Sequence, residues 1–263
     1  MIVDADGVRP TVARAWRRRP ALHPSAEPRP SGTLTVDDDA DRLRGAEVTR
    51  EDDPGTGWPL DLLDWKRRVG AMYASARAGG EGEAALAAFR GAKDELFAGH
   101  PQSPIPVECR SGFTGLAYYP HRPDLRVHAP LEPDAAGDEF VMPSSTDEPF
   151  RFQFIGRVRP TLGGERVSLA VFWLTAYGGG LFVPFRDATA GDTTYGAGRY
   201  LLDTVKGADL GATADGELIL DFNYAFNPSC SYDPRWSCPL APIESRIDVS
   251  VEAGERLWRP SDD

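Results

Sequence analysis

The sequence predicts an α+β fold that is mainly antiparallel β, with a β-sandwich or barrel-like sheet preceded by an N-terminal helical hairpin. Two stretches within residues 58–100 carry apolar residues at helical spacing, whereas residues 105–260 contain short strand-like runs without helices between them. The 27 glycines and 23 prolines favour frequent turns over long helices. The expected organisation is a tail over residues 1–57 and a single globular domain over residues 58–263.

Residues 1–57 are expected to form a disordered tail, because they contain few large apolar residues that could offset the entropy of ordering. A basic cluster at residues 14–19 and an acidic cluster at residues 37–41 are separated by several prolines. The simpler interpretation is a solvated tail. The alternative is an arm that docks on a partner through the basic cluster.

Two amphipathic helices are predicted next, and they are expected to pair as an αα-hairpin. One face of the first helix carries Leu62, Trp65, Val69, Met72, Tyr73 and Ala76. One stripe of the second helix carries Leu86, Phe89, Lys93, Leu96 and Phe97. Lys93 is expected at the edge of this stripe, with its aliphatic stem on apolar surface. Gly80 and Pro101 follow the two helices as natural stops.

Strands and turns follow the hairpin. Residues 150–159 alternate between apolar and polar side chains, which is typical of a half-buried antiparallel strand. Gly163-Gly164 indicates a hairpin turn, and the run over residues 167–174 is apolar on both faces, which predicts a central strand. Pro184 places the strand at residues 181–185 at an edge or a bulge. Further strands are expected at residues 194–202, 218–223 and 247–251.

Charge and motif content exclude several classes of function. The net charge of −11 disfavours a nucleic-acid partner, because phosphate binding draws on clustered Lys and Arg. No apolar run approaches the roughly 20 residues that cross a bilayer, so no membrane partner is expected. The N-terminus lacks the apolar core of a secretory signal, so a cytoplasmic location is expected. The usual phosphate-loop, dinucleotide and α/β-hydrolase motifs are absent, and no cofactor is predicted.

Three segments of the C-terminal third carry a resemblance to a known family. They are LFVPFRDATAGDTTYGAGRYL at residues 181–201, LDFNYAFNPSCSYDPRWSCPLAP at residues 220–242 and AGE at residues 253–255. Together with the helical hairpin and HPQSP at residues 100–104, they resemble a bacterial domain family of unknown function, DUF1684. Ser245 stands where that family usually has Asn. The resemblance implies which segments matter, and it implies no reaction, cofactor or partner.

The loop that opens at Asp187 is rich in side-chain oxygens. They belong to Asp187, Thr189, Asp192 and Thr193. Such a loop suits a hard cation such as calcium, but the spacing does not match an EF-hand, so a polar turn is favoured and no metal is predicted. Further on, Gly196 and Gly198 share one face of the predicted strand. A ligand or a large side chain such as Trp173 is expected to fill the space above them.

Asp221 is a charged residue in a predicted strand that is otherwise apolar. An unpaired charge there is costly, so a cation is expected beside it, either Arg199 or Arg246. Arg199 and Asp221 are predicted to be partners, because consecutive strands commonly neighbour each other. The pair would be a structural ion pair or, alternatively, a place where Asp221 acts as general base or anchors a ligand.

Cys230 and Cys238 bracket a seven-residue turn, SYDPRWS. They are predicted to be neighbours, either as packed thiols or as a reversible disulfide, with Cys109 separate. Zinc is disfavoured, because none of the four histidines belongs to a ligand-spaced pair. A nucleophilic cysteine would need a nearby base, for which His121 or His128 remains open.

The leading functional hypothesis is a domain that binds a small molecule, with enzyme activity left open. Its polar pocket is predicted to contain Tyr195, Arg199, Asp221, Asn223, Asn227 and Tyr232. An arginine beside tyrosines and amides suits a small polar or anionic ligand, because guanidinium donates to oxygen in a fixed fork. The alternative is a structural or protein-interaction domain in which these polar side chains satisfy one another.

Overall fold

The computed structural model of the chain describes residues 58–134, 139–146, 149–175 and 178–260. The tail predicted for residues 1–57 lies outside the described residues. All the described residues belong to one compact unit. Among them, no helix is both long enough and apolar enough to span a membrane.

The predicted helical hairpin is confirmed, with helix α1 at Trp58–Ala78 and helix α2 at Glu83–Gly99. Gly80 and Gly82 between the helices have φ values of 77° and 121°, a conformation that glycine adopts without strain. The predicted apolar faces are the buried ones. Tyr73 of α1 and Phe89 of α2 pack together against Tyr224 of the β region. The hairpin therefore lies on the β region through an aromatic contact.

The β region is antiparallel, as predicted, but it does not close into a barrel. Its strands among the described residues are β1 (Arg126–Ala129), β2 (Glu132–Pro133), β3 (Glu139–Met142), β4 (Phe150–Val158), β5 (Thr161–Leu162), β6 (Glu165–Arg166), β7 (Leu169–Leu174), β8 (Gly180–Phe185), β9 (Arg199–Asp203) and β10 (Leu218–Asp221). The main sheet has the order β2-β4-β7-β8-β9, and β3 pairs with β4 beside β2. β1 with β10 and β5 with β6 form two separate two-stranded ribbons.

Hydrophobic clusters cover both faces of the main sheet. One is aromatic and packs Phe152, Phe172 and Phe182 with Tyr200. The other is mainly aliphatic and joins the main sheet to the β1–β10 ribbon and to the segment at residues 247–253. Because both faces are covered, β7 at the centre of the sheet is almost entirely buried, as its apolar sequence predicts.

Several strand predictions are confirmed in detail. The alternation over residues 150–159 corresponds to β4, and Gly163-Gly164 turns β5 into β6 with φ values of 58° and 88°. Pro184 lies at a register shift after Val183. β8 pairs with neighbours on both sides, so a bulge and not a sheet edge accommodates this proline.

Three predicted strands are shorter than expected or absent. Residues 194–198 are a turn, because Gly198 has a φ of 97° and donates its N–H to the carbonyl of Tyr195. β10 ends at Asp221, whose carboxylate accepts the N–H of Asn223 and starts a 3₁₀ turn. Residues 247–251 form no strand. That segment exchanges only isolated backbone bonds with residues 186–188.

Candidate functional site

Arg199 organises the first of two buried polar clusters. Its side chain is fully buried, and its Nη1 donates to the carbonyls of Ala253 and Glu255. Its Nη2 donates to the carbonyl of Val251 at 2.8 Å and to Asp187 Oδ1 at 3.2 Å. Burial lowers the pKa of the Arg199 guanidinium from its ordinary value, and Asp187 acts against that shift. Arg199 therefore fastens the C-terminal segment at residues 251–255 to β9.

The loop that opens at Asp187 is part of this cluster. Asp187 Oδ2 accepts the N–H of Val251 at 2.8 Å and the hydroxyl of Thr189 at 2.7 Å. The hydroxyls of Thr189 and Thr194 lie 2.9 Å apart. Among the described residues, no group of three or more His, Cys, Asp and Glu side chains is placed to hold a metal ion. These contacts are those of a polar turn.

The predicted pairing of Arg199 with Asp221 is wrong. β10 pairs with β1 and not with β9, and the register sets Asp221 opposite Arg126. Arg126 Nη1 lies 3.0 Å from Asp221 Oδ2, while Asp221 Oδ1 accepts two bonds from Asn223. The alternative partner, Arg246, is exposed and faces Asp248. A charged strand residue did require a cation, but strand order along the chain did not identify it.

The space beside Gly198 is also not filled as expected, by a ligand or by Trp173. A Cβ on Gly198 would lie 2.5 Å from the carbonyl oxygen of Phe185 and 2.8 Å from the Cβ of Ala241. Atoms of Phe185 and Ala241 therefore occupy this space, and Trp173 covers Gly179 instead.

Glu255 organises the second buried cluster, under the helical hairpin. Its carboxylate, 1% exposed, accepts the ammonium of Lys93, the N–H of Asn227 at 2.7 Å and the hydroxyl of Tyr232 at 2.6 Å. Burial, followed by the negative charge of Glu255, raises the pKa of Tyr232 well above its ordinary value, so Tyr232 remains a donor. Lys93, which was predicted at the edge of the α2 stripe, is 6% exposed, so its ammonium is buried together with its stem.

Two adjoining cavities lie beside this second cluster, between α1 and the chain at residues 226–238. The inner cavity, of about 70 Å³, reaches Lys93, Asn227 and Tyr232. The outer cavity, of about 190 Å³, reaches Trp236 and Cys238. Trp65, Lys206 and Ser229 line both cavities. We refer to the two cavities together as the α1 groove.

The α1 groove combines apolar walls with polar atoms that have no partner among the described residues. Its walls include Trp65, Val69, Phe97 and Phe226. Asn227 donates its Nδ2 to the carbonyl of Arg256, but its buried Oδ1 accepts no hydrogen bond. The indole Nε1 of Trp236 is likewise buried and unpaired. Two residues that line the groove thus each carry a buried polar atom without a partner, an acceptor on Asn227 and a donor on Trp236.

A thiol pair lies at the outer end of this groove. Cys230 and Cys238 are neighbours, as predicted, with the N–H of Cys230 3.4 Å from Cys238 Sγ, and both are free thiols. The hydrogen bond from Cys238, with further bonds from Ser145 and Tyr195, lowers the pKa of Cys230 to about 6 against the opposing effect of burial. The same bond to Cys230, with burial, raises the pKa of Cys238. Cys109 packs separately, against the cluster that contains Ile105.

The six predicted pocket residues therefore lie in four places. Asn227 and Tyr232 line the α1 groove, Arg199 fastens the C-terminal segment, and Tyr195 lies 3.7 Å from Cys230 Sγ. Asp221 and Asn223 belong to the contact between β10 and β1. The sequence interpretation missed Glu255 as the centre of a cluster. Two features of the sequence pointed to Glu255: the position of Lys93 on the apolar stripe of α2, and the AGE segment at residues 253–255.

Comparison with known proteins gives a family and similar solved structures. Residues 111–256 match a family described as "Protein of unknown function (DUF1684)". The solution NMR structure of the uncharacterized protein from gene locus rrnAC0354 of Haloarcula marismortui is 38% identical in sequence. That match covers 65% of this chain and 91% of the other, with a TM-score of 0.48. No curated protein matches.

Proposed function

The chain belongs to the DUF1684 family of proteins of unknown function, and from that premise we propose that it binds a small organic molecule with an apolar body and an anionic end in the α1 groove. The observation that carries the proposal is the unpaired Oδ1 of buried Asn227, a residue that lines the inner cavity together with apolar side chains such as Trp65 and Val69. A buried acceptor without a donor costs on the order of 1–3 kcal/mol. A ligand hydroxyl or N–H group would recover that free energy.

The walls of the groove favour an apolar or aromatic ligand body. Trp65 and Phe97 have ring centroids 5.5 Å apart, and Phe226 lines the same cavity. Ligand pockets are typically apolar with a few fixed polar groups and have volumes of roughly 300–1,000 Å³. The two adjoining cavities together approach the lower end of that range, which favours a small ligand.

Two lysines favour an anionic end. Lys206 lines both cavities with its side chain 47% exposed, and Lys66 lines the outer one. Lys206 is only loosely held, with its ammonium 3.5 Å from Asp203 Oδ2. Since the whole chain carries a net charge of −11, attraction of an anion depends on such local cations.

A structural role is the second candidate, and the Arg199 cluster favours it. Arg199, Asp187, Asp221 and Asn223 all bind chain atoms, so these side chains serve packing in this interpretation. The proposed ligand site accordingly keeps Asn227 and Tyr232 of the residues first predicted. It lies between the helical hairpin and the β region.

Thermal unfolding with matched acid and alcohol pairs tests the proposal. We would compare indole-3-acetate with tryptophol and octanoate with octanol on the full chain. An acid present at 100 times its dissociation constant stabilises the fold by about 2.7 kcal/mol, which raises Tm by roughly 5 °C or more. We expect a shift with at least one acid and a smaller shift with its alcohol. The Lys206→Met variant should remove that difference.

A variant that fills the groove, compared with a matched variant on the exposed face of α1, provides the control. Val69→Trp places an indole in the inner cavity and should abolish the shift, whereas Arg67→Trp on the exposed face of α1 should leave it intact. Ser229→Phe blocks the shared part of the groove if the first variant folds poorly. Equal shifts in Val69→Trp and Arg67→Trp, or no shift with any acid and no co-purified molecule in native mass spectrometry, would contradict binding in this groove.

A further inference from the structure

The thiol pair is held in a geometry that suits a reversible disulfide. Cys238 Sγ lies 3.4 Å from the amide nitrogen of Cys230, and the two thiols are hydrogen-bonded to each other, so the two sulfurs are already in contact. Ser145 holds Cys238 in place, since the N–H of Cys238 donates to Ser145 Oγ at 3.0 Å and its carbonyl accepts the N–H of Ser145 at 2.9 Å.

The two sulfurs differ in exposure and in hydrogen bonding. Cys230 is half-buried, and its sulfur lies 3.7 Å from the Tyr195 hydroxyl, which donates a hydrogen bond to it when the sulfur is a thiolate. Cys238 is 2% exposed as a residue but lines the outer cavity of the α1 groove. The hydrogen bonds that lower the pKa of Cys230 to about 6 leave it mostly as thiolate at neutral pH, which is the nucleophilic form. Because Cys230 is also the less buried of the two residues, it is the attacking sulfur and Cys238 the resolving one.

We propose that Cys230 and Cys238 form a redox-active dithiol site that reacts with hydroperoxides. The Cys230 thiolate attacks the peroxide O–O bond and becomes a sulfenic acid, and the other oxygen leaves with a proton as water or, for an organic hydroperoxide, as an alcohol. The Cys238 thiol then attacks that sulfur and expels the hydroxyl group as water, which leaves a 230–238 disulfide. The peroxide is reduced by two electrons and the dithiol is oxidised by two.

Reduction closes the cycle through thiol–disulfide exchange with an external dithiol, which is itself oxidised to a disulfide. This chemistry needs no ligand in the α1 groove, so the test of the dithiol site is independent of the test of the proposed function.

Peptide mapping of the full chain tests the site directly. Arg235 lies between the two cysteines, so trypsin separates Cys230, in the peptide at residues 207–235, from Cys238, in the peptide at residues 236–246. After dithiothreitol reduction, desalting and a stoichiometric dose of hydrogen peroxide, we expect these two peptides to be cross-linked. Dithiothreitol should release them again, and the Cys109→Ser variant should behave like the native chain.

Trapping with dimedone assigns the order of events. In the Cys238→Ser variant the sulfenic acid on Cys230 has no resolving thiol, so dimedone should trap it. We expect this labelling of Cys230 to exceed the labelling of Cys238 in the Cys230→Ser variant by at least tenfold. Differential alkylation of the native chain compares the reactivity of Cys230 and Cys238 without a variant. Preferential labelling of Cys238 or Cys109 overturns the assignment. Peroxide that oxidises Cys109 while residues 230 and 238 both remain alkylatable overturns the site.

Discussion

The clusters around Arg199 and Glu255 share one short segment of chain but satisfy their polar atoms differently. The carbonyls of Ala253 and Glu255 accept hydrogen bonds from Arg199, whereas the Glu255 carboxylate turns towards Lys93 and Tyr232. The first cluster is enclosed between the sheet and the C-terminal segment. The second borders a cavity and includes Asn227, whose Oδ1 remains unpaired. The first cluster also leaves a buried polar atom unpaired, Arg199 Nε, so an unpaired atom indicates a binding site only where its residue also lines a cavity, as Asn227 does.

The largest expected effect comes from breaking the enclosed cluster. Arg199→Met leaves Asp187 without its cation and three carbonyls without their donor, so we expect a loss of about 5 kcal/mol in the free energy of unfolding. Urea unfolding of a double-mutant cycle with Asp187→Asn should show coupling above about 1 kcal/mol. The same cycle with Asp221→Asn should be additive within about 0.5 kcal/mol. Coupling between Arg199 and Asp221 would instead support the ion pair that the order of the strands along the chain suggested.

Breaking the second cluster should cost less. Lys93→Met removes the cation from buried Glu255, but the Tyr232 hydroxyl and the Asn227 N–H remain as donors. We expect a loss of about 3 kcal/mol, at the lower end for a broken buried pair. Lys66→Met, at an exposed position on α1, should change stability by less than about 0.5 kcal/mol. A loss as large as that of Arg199→Met would erase the distinction between the clusters.

Gly254 tests the segment that the clusters share. It has a φ of 74°, and a Cβ there would lie 2.5 Å from the carbonyl oxygen of Ala225. Gly216 has a similar φ of 84° but open space around its Cβ position, so it separates strain from steric conflict. In thermal or urea unfolding we expect Gly254→Ala to cost about 2 kcal/mol more than Gly216→Ala. Equal costs would mean that the close approach at Gly254 is not required.

The smallest effect concerns the thiol end of the groove. The pKa of Cys230 is lowered to about 6, so its rate of alkylation by iodoacetamide should fall as pH drops through 6 and level off above about 7. An ordinary thiol, such as that of glutathione, keeps gaining rate up to about pH 8.5. Tyr195→Phe removes one hydrogen bond to the sulfur and should lower the rate at pH 6 by about twofold. A glutathione-like profile in the native chain contradicts the stabilised thiolate.

Local sequence patterns predicted much of the fold. The apolar spacing of Tyr73 and Phe89 identified the buried helix faces, and the alternation of β4 and the apolar run of β7 identified strands in the main sheet. These predictions succeeded because periodicity reports which face of an element is buried. The strand predicted at residues 247–251 failed because the segment joins no sheet: Ile247 and Val251 are buried and Asp248 is exposed, as in a strand, but only isolated backbone bonds connect the segment to residues 186–188.

The candidate site was predicted only in part. The turn at residues 231–237 correctly brought Cys230 and Cys238 together, since closure of a short loop is a local property. Asn227 and Tyr232 both line the groove in which a ligand site is proposed, but Arg199 was assigned the wrong partner. The true partner, Asp187, lies only twelve residues earlier but is oriented by Val251 and Thr189.

The sequence by itself determined the α+β class, the helical hairpin, the thiol pair and the need for counter-charges beside buried ions, because these follow from spacing along one stretch of chain. The tertiary structure alone decided which charges pair and where space remains. Lys93 and Glu255 are 162 residues apart, and the α1 groove is bounded by two helices and a C-terminal loop. Such contacts depend on how separate elements pack, which no local pattern encodes.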